Sequence, residues 1–148
     1  MLQMSSVSRS ALVSFSAQQM FDLVEDVEHY PQFLPWCSGT NVSLRDAQVT
    51  HATININYRG IKQSFSTENH KVPPGLMTLR LVEGPFRSLD GEWRFTPLGD
   101  NACRIDFRMS YEFSSTLLEK LVGPVFGHIA GTMVDAFLKR ADMVYVQS

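Results

Sequence analysis

Residues 103–113 read CRIDFRMSYEF. Cys103, Ile105, Phe107, Met109, Tyr111 and Phe113 alternate with Arg104, Asp106, Arg108, Ser110 and Glu112. A period of two sends one set of side chains to each face of a β-strand, so this segment has one dry face and one wet face. Strands of that kind belong to antiparallel sheets covered on one side only. The same period runs backwards through the chain. Val42 and Leu44 alternate with polar neighbours, as do Ala52, Ile54, Ile56 and Tyr58, then Ile61, Gln63 and Phe65, then Met77, Leu79 and Leu81, and finally Trp93 and Phe95. Turn-forming sequences (RDAQ, YRG, PPG, EGPF, LGDN) separate these runs, which predicts a meander of short-connected strands from Gly39 to Phe113.

Two helical patterns flank the meander. Ser16 followed by Gln19 is a capping box, and Met20, Val24 and Val27 recur at helical spacing, predicting an amphipathic helix over 16–28. Its other face carries Asp22, Glu25, Asp26 and Glu28 and is expected to meet solvent or a basic protein. Pro31 is expected to open a second short helix and Pro35 to stop it. A strand over 5–14 precedes this corner. From 115 to 145 a long helix is predicted, capped by Thr116 and Glu119, with Pro124 interrupting it. The expected architecture is α+β: a curved antiparallel sheet of about seven strands around a long C-terminal helix, with two short helices after the first strand, in one domain of 148 residues.

Composition narrows the function. Apolar residues make up 44% and charged residues 19%, ordinary for a globular chain. A net charge of −2 and a pI near 6.0 give no global signal for nucleic acid, so any RNA contact needs a local patch. The N-terminus lacks the basic start and apolar core of a signal peptide, and no stretch reads as a membrane span. Cys37 and Cys103 lack CxxC spacing and are expected as reduced thiols of a cytoplasmic protein. His29, His51, His70 and His128 are scattered without a metal-ligand pattern, and no nucleophile elbow, Walker loop or dinucleotide fingerprint is present. No catalytic residue and no metal site is assigned.

The sheet's apolar phase and the long helix face one another. Ile54, Ile56, Tyr58, Phe65, Leu79, Leu81, Trp93, Phe107 and Met109 on strands, with Val125, Ile129, Met133 and Phe137 on the helix, either close as dry core or line a cavity. Gly123, Gly127 and Gly131 recur every four residues and signal either close approach of the helix or room for a guest. The segment EHYPQFLPWC, residues 28–37, sets Tyr30, Phe33, Leu34 and Trp36 around two prolines, as a cavity roof or as a packed corner, with Phe86 in a second proline–aromatic turn as the facing lip. Tyr58, Gln63 and Tyr111 are the polar groups on the apolar phase. On the outward phase, Arg59, Lys62, Arg80, Arg94, Arg104 and Arg108 form either a basic stripe for RNA phosphates or ordinary cross-strand ion pairs with Glu68, Glu92, Asp106 and Glu112.

The segments LVEDVEHYPQFLPWCSG, YRGIKQSFST, LVEGPFRSLDGEWRFTPL and FGHIAGTMVDAFLKRADMVY together resemble the START-like family of bacterial ribosome association toxins and mitochondrial coenzyme Q-binding proteins. The resemblance spans nearly the whole chain. It implies a helix-grip fold with a hydrophobic cavity between sheet and long helix, and a ubiquinone-like prenylated quinone as ligand, with no required cofactor. It further implies association with the 50S ribosomal subunit and interference with 70S formation, and it favours the roof reading of residues 28–37. Related START-like proteins include polyketide cyclases and lipid-transport proteins, which stand as the alternative.

Overall fold

The computed structural model describes residues 4–146. Seven strands form one antiparallel sheet: β1 (Ser5–Val13), β2 (Cys37–Arg45), β3 (Val49–Tyr58), β4 (Ile61–Val72), β5 (Leu76–Glu83), β6 (Phe86–Pro97) and β7 (Cys103–Phe113). Their spatial order is β1-β7-β6-β5-β4-β3-β2. Only β1 departs from sequential pairing, crossing to lie beside β7 with Ser5 opposite Tyr111 and Val13 opposite Cys103. Register shifts in β2, at Ser66/Thr67 of β4 and near Phe86 of β6 bend the sheet, because a bulge tightens the local twist of its strand. The resulting concave face receives α2 (Thr116–Ala141), and α1 (Ala17–Glu25) closes the space beside it.

The alternation of β7 is realised as read. Cys103, Ile105, Phe107, Met109, Tyr111 and Phe113 are all buried. Gly84, between β5 and β6, has φ of 154°, and a Cβ there would stand 2.7 Å from the Phe65 Cβ, so this turn packs directly onto β4.

The helical boundaries differ in detail. The Ser16–Gln19 capping box is present, but α1 ends at Glu25 and the chain tightens into a 3₁₀ helix, Val27–Gln32. Pro31 sits near the end of that turn and does not open it. Its missing N–H and its ring rule out continued α-helix there, and i→i+3 bonding is the local alternative. At α2 the cap is Ser115, whose Oγ accepts the Leu118 N–H, one residue before the expected Thr116. Pro124 is absorbed within α2. After Ala141 the helix widens into a π turn over Asp142–Val146, and the Tyr145 hydroxyl donates to the Gln19 carbonyl at 2.8 Å.

Contrary to the sequence expectation, Thr116–Val146 is long and apolar enough to cross a membrane by length and composition. In the fold one face of it is core, with Val122, Phe126, Ile129, Ala130, Met133 and Phe137 buried, while Leu117, Leu121, Met143, Val144 and Val146 are exposed.

Candidate functional site: a closed apolar hollow and its surroundings

Between α2 and the sheet lies a hollow of about 40 Å³. Nine residues expected at a cavity line it: Tyr30, Ile54, Phe65, Leu79, Trp93, Phe107, Met109, Met133 and Phe137. That volume holds a few waters, whereas an apolar cavity of about 150 Å³ is needed to take benzene. The hollow as it stands is therefore closed to a quinone ring, and a guest requires side chains to move. Met77, Met109 and Met133 supply adaptable wall, because thioether chains repack at low cost.

Six further residues complete the wall: Val24 and Val27 from the α1 corner, and Ala52, Thr67, Asn69 and Met77 from the sheet. Thr67 and Asn69 are the polar surprise. Both are 5% exposed, and the Thr67 Oγ1 donates to the Asn69 Oδ1 at 2.7 Å. They continue the inward phase of Phe65 along β4, and that continuation was the available signal. The only titratable side chain in the lining is Tyr30. Its hydroxyl donates to the Val24 carbonyl, and burial, with the Glu25 charge nearby, pushes its ionisation well above the ordinary phenol range. Nothing in this wall is set up for proton transfer at neutral pH.

The structure disperses the other expected site residues. Leu34 and Trp36 are 1% and 2% exposed, so residues 28–37 form a packed corner and not a free roof. Ile56, Val125 and Ile129 are ordinary core. Phe86 is no lip: its ring packs among Phe65, Tyr111, Phe113 and Phe126 and plugs the far end of the sheet–helix space. Tyr58 lies towards the surface, stacked on His128 of α2 at 5.7 Å. Of the polar candidates, Gln63 faces a surface recess, and Tyr111 is buried with its hydroxyl near Gly127. The glycine stripe serves neither expected purpose. A Cβ at Gly123 or Gly127 would make ordinary contact at 3.8 or 3.9 Å, one at Gly131 would meet nothing, and none of the three lines the hollow.

One thin aromatic partition separates the hollow from the outside. Phe137 packs edge-on against Tyr30 at 5.4 Å and Phe33 at 5.1 Å. Tyr30 and Phe137 face the hollow, whereas Phe33 and Trp36 line an outer groove of about 450 Å³ between the 3₁₀ corner and α2. The Arg140 guanidinium lies over Phe33 at 5.1 Å and donates to Gln32 Oε1 at 3.2 Å, fastening the corner to the helix.

The charged residues are mostly spoken for. Glu25 and Glu28 do not form a free acidic face. Arg45 reaches both at 3.0 and 2.6 Å, and the buried Lys71 ammonium and the Thr50 hydroxyl also reach Glu25. This cluster ties the end of α1 to β2, β3 and β4. On the outer face of the sheet, Arg94 pairs with Glu92, Arg104 with Asp106, and Arg108 with Asp90 and Glu92. Half of the expected basic stripe is thus neutralised across strands. Arg59, Lys62 and Arg80 have no such pair among the described residues. Cys37 and Cys103 are free and buried, and burial raises both thiols above their ordinary range, away from the reactive thiolate. Among the described residues no three His, Cys, Asp or Glu side chains converge as a metal group.

Comparison with known proteins places this architecture. The family described as "Polyketide cyclase / dehydrase and lipid transport" matches residues 13–138. The ribosome association toxin RatA of Vibrio cholerae is 46% identical over 142 residues, covering 96% of this chain and 99% of that protein. The coenzyme Q-binding protein COQ10 homolog B of Xenopus laevis is 32% identical, covering 93% of this chain and 58% of that protein. Among solved structures, the Zhui aromatase/cyclase of Streptomyces sp. R1128 superposes with a TM-score of 0.79 at 15% identity, covering 99% of each chain. With a seven-stranded sheet gripping its terminal helix, the chain belongs to the polyketide cyclase/dehydrase and lipid-transport family, in the group of the ribosome association toxins.

Proposed function

We propose that this is a non-enzymatic, cytoplasmic binding protein whose hollow opens to take a prenylated quinone of the ubiquinone type, supporting respiration. We propose also that it associates with the 50S subunit and hinders 70S formation. The apolar hollow between sheet and α2 is the observation that carries the first reading. Its wall is apolar apart from Tyr30, Thr67 and Asn69, the composition expected around an isoprenoid tail with one polar end. Each tail methylene withdrawn from water contributes about 0.8 kcal/mol, so a few isoprene units outweigh the rearrangement of several side chains. With the Asn69 oxygen engaged by Thr67, its N–H pair is the donor for a quinone carbonyl.

The names of the relatives support both roles: the Vibrio protein is a ribosome association toxin, and the Xenopus protein binds coenzyme Q. The test is paired. Solvent extraction of protein purified from its native host should yield a prenylated quinone at stoichiometric level, and sucrose-gradient fractionation should place the protein with large subunits at low salt. Absence of any extractable quinone removes the first role. Migration at the top of the gradient or only with 70S particles removes the second.

A further inference from the structure

The two-residue turn between β3 and β4, Arg59–Gly60, has φ of 50° and 82°. A hairpin turn left-handed at both positions ordinarily selects Asn, Asp or Gly at the first. Arg59 holds it instead, against the local preference. Its guanidinium carbon stands 5.0 Å over the Tyr58 ring, which itself stacks on His128. The cation is held in a defined place, so less side-chain entropy is lost when it meets a partner. Lys62 follows on β4, opposite Asn57.

Negative charge around the turn is sparse: across β4, β5 offers Glu83, in register with Ser66 and bordering a neighbouring recess with Gln63 and Ser64. Between residues 29 and 67 the sequence contains one carboxylate, Asp46, whose Oδ1 is occupied by the Gln48 and Val49 N–H groups. It lies at the opposite end of β3, roughly 30 Å from the turn at about 3.3 Å per residue. Beside Lys62 is a recess of about 440 Å³ walled by Ser38, Asn55, Asn57, Gln63 and Ser64. The Ser64 hydroxyl donates to Asn55 Oδ1 at 2.6 Å, which turns the Asn55 amide nitrogen into the remaining donor. On the far side of the stack, His128 borders the outer groove with Lys139 and Arg140, where the one carboxylate, Asp135, is bridged to Arg9 at 3.2 Å. Elsewhere on the sheet's outer face each of Arg94, Arg104 and Arg108 stands beside a carboxylate.

We propose that the β3–β4 hairpin end, with Arg59, Lys62 and the Asn55 recess, is the surface that meets RNA phosphates on the large ribosomal subunit. This rests on the ribosomal reading above. Cations amid amide and hydroxyl donors fit a sugar–phosphate backbone, which is rich in acceptors. A membrane surface would call for apolar side chains to insert, and none of the exposed large apolar residues belongs to the turn or walls the recess beside Lys62.

The test measures binding of the full chain to purified 50S subunits over a salt series, comparing wild type with Arg59→Asn/Lys62→Gln. Asn suits the left-handed position, so the fold and its melting temperature are expected to hold. The double variant should bind more weakly, and its log–log salt slope should fall by about two, one for each phosphate contact removed. Arg94→Gln/Arg104→Gln should leave that slope unchanged. A wild-type slope in the double variant overturns the proposal while the ribosomal reading stands. Failure of wild type to bind any subunit removes both. Weaker binding with an unchanged slope assigns the face to a ribosomal protein, and loss of binding to anionic-lipid vesicles alone assigns it to a membrane; either result overturns the RNA assignment.

Discussion

Ala52→Val is the substitution that most cleanly separates a binding cavity from a packing flaw. Ala52 is 3% exposed, lies in the wall of the hollow, and stands between Val42 on β2 and Thr67 on β4. The 40 Å³ of void costs about 1 kcal/mol at ~24 cal/mol per Å³. Two added methyl groups offer at most about 1.6 kcal/mol of burial, less whatever strain they introduce. Val also suits a strand better than Ala does. The expected gain is therefore about 1 kcal/mol, a rise of about 2–4 °C in Tm for a domain of this size. Quinone uptake should disappear at the same time, since the guest needs the volume the methyl groups now fill. Differential scanning calorimetry and a quinone titration on the same sample read both effects. A Tm that falls by several degrees would show that no usable void exists. A raised Tm with unaltered quinone affinity would place the ligand elsewhere, the outer groove at Phe33 being the obvious seat.

The glycines give opposite expectations under urea denaturation. Gly131→Ala meets nothing within 4 Å and should stabilise by about 0.5–1 kcal/mol, whereas Gly84→Ala combines a positive φ with a 2.7 Å approach to Phe65 and should cost about 1–3 kcal/mol or more. A loss at Gly131 would show that α2 needs that position bare. Acid stability follows Glu28, whose carboxyl the Arg45 hydrogen bond holds below its ordinary value of 4.5. A carboxylate lowered in the fold contributes fully above pH 4.5, and that contribution is lost as pH falls from there through the folded value. Tm should drop on acidification below pH 4.5, and Glu28→Gln should flatten that part of the curve; parallel curves for the two proteins would refute the assignment.

The strands were legible because their period is unambiguous: β7 alternates for eleven residues and the fold buries every residue of its apolar phase. What escaped was set by neighbours in space. Thr67 and Asn69 face inwards, but polar side chains on an apolar phase look like the end of a strand until their mutual hydrogen bond is seen. The pairing of Arg108 with Glu92 depends on the β6–β7 register, which single-strand alternation does not specify. Glu25 reads as part of a solvated helix face because its partners Arg45, Thr50 and Lys71 come from three strands distant in sequence. The size of the hollow was the least legible feature. Its lining was largely named by type and phase, but a void is the small difference between the space the backbone encloses and the volume its side chains fill.

Trp93 lies in the wall of the hollow and Trp36 does not, so a Trp36→Phe protein carries one reporter at the proposed site. Titrating it with ubiquinone should quench Trp93 emission saturably at one equivalent, with the quenching abolished by Ala52→Val. Quenching that rises linearly without saturation, and is the same in both proteins, would mean that the space beneath α2 never opens to a guest.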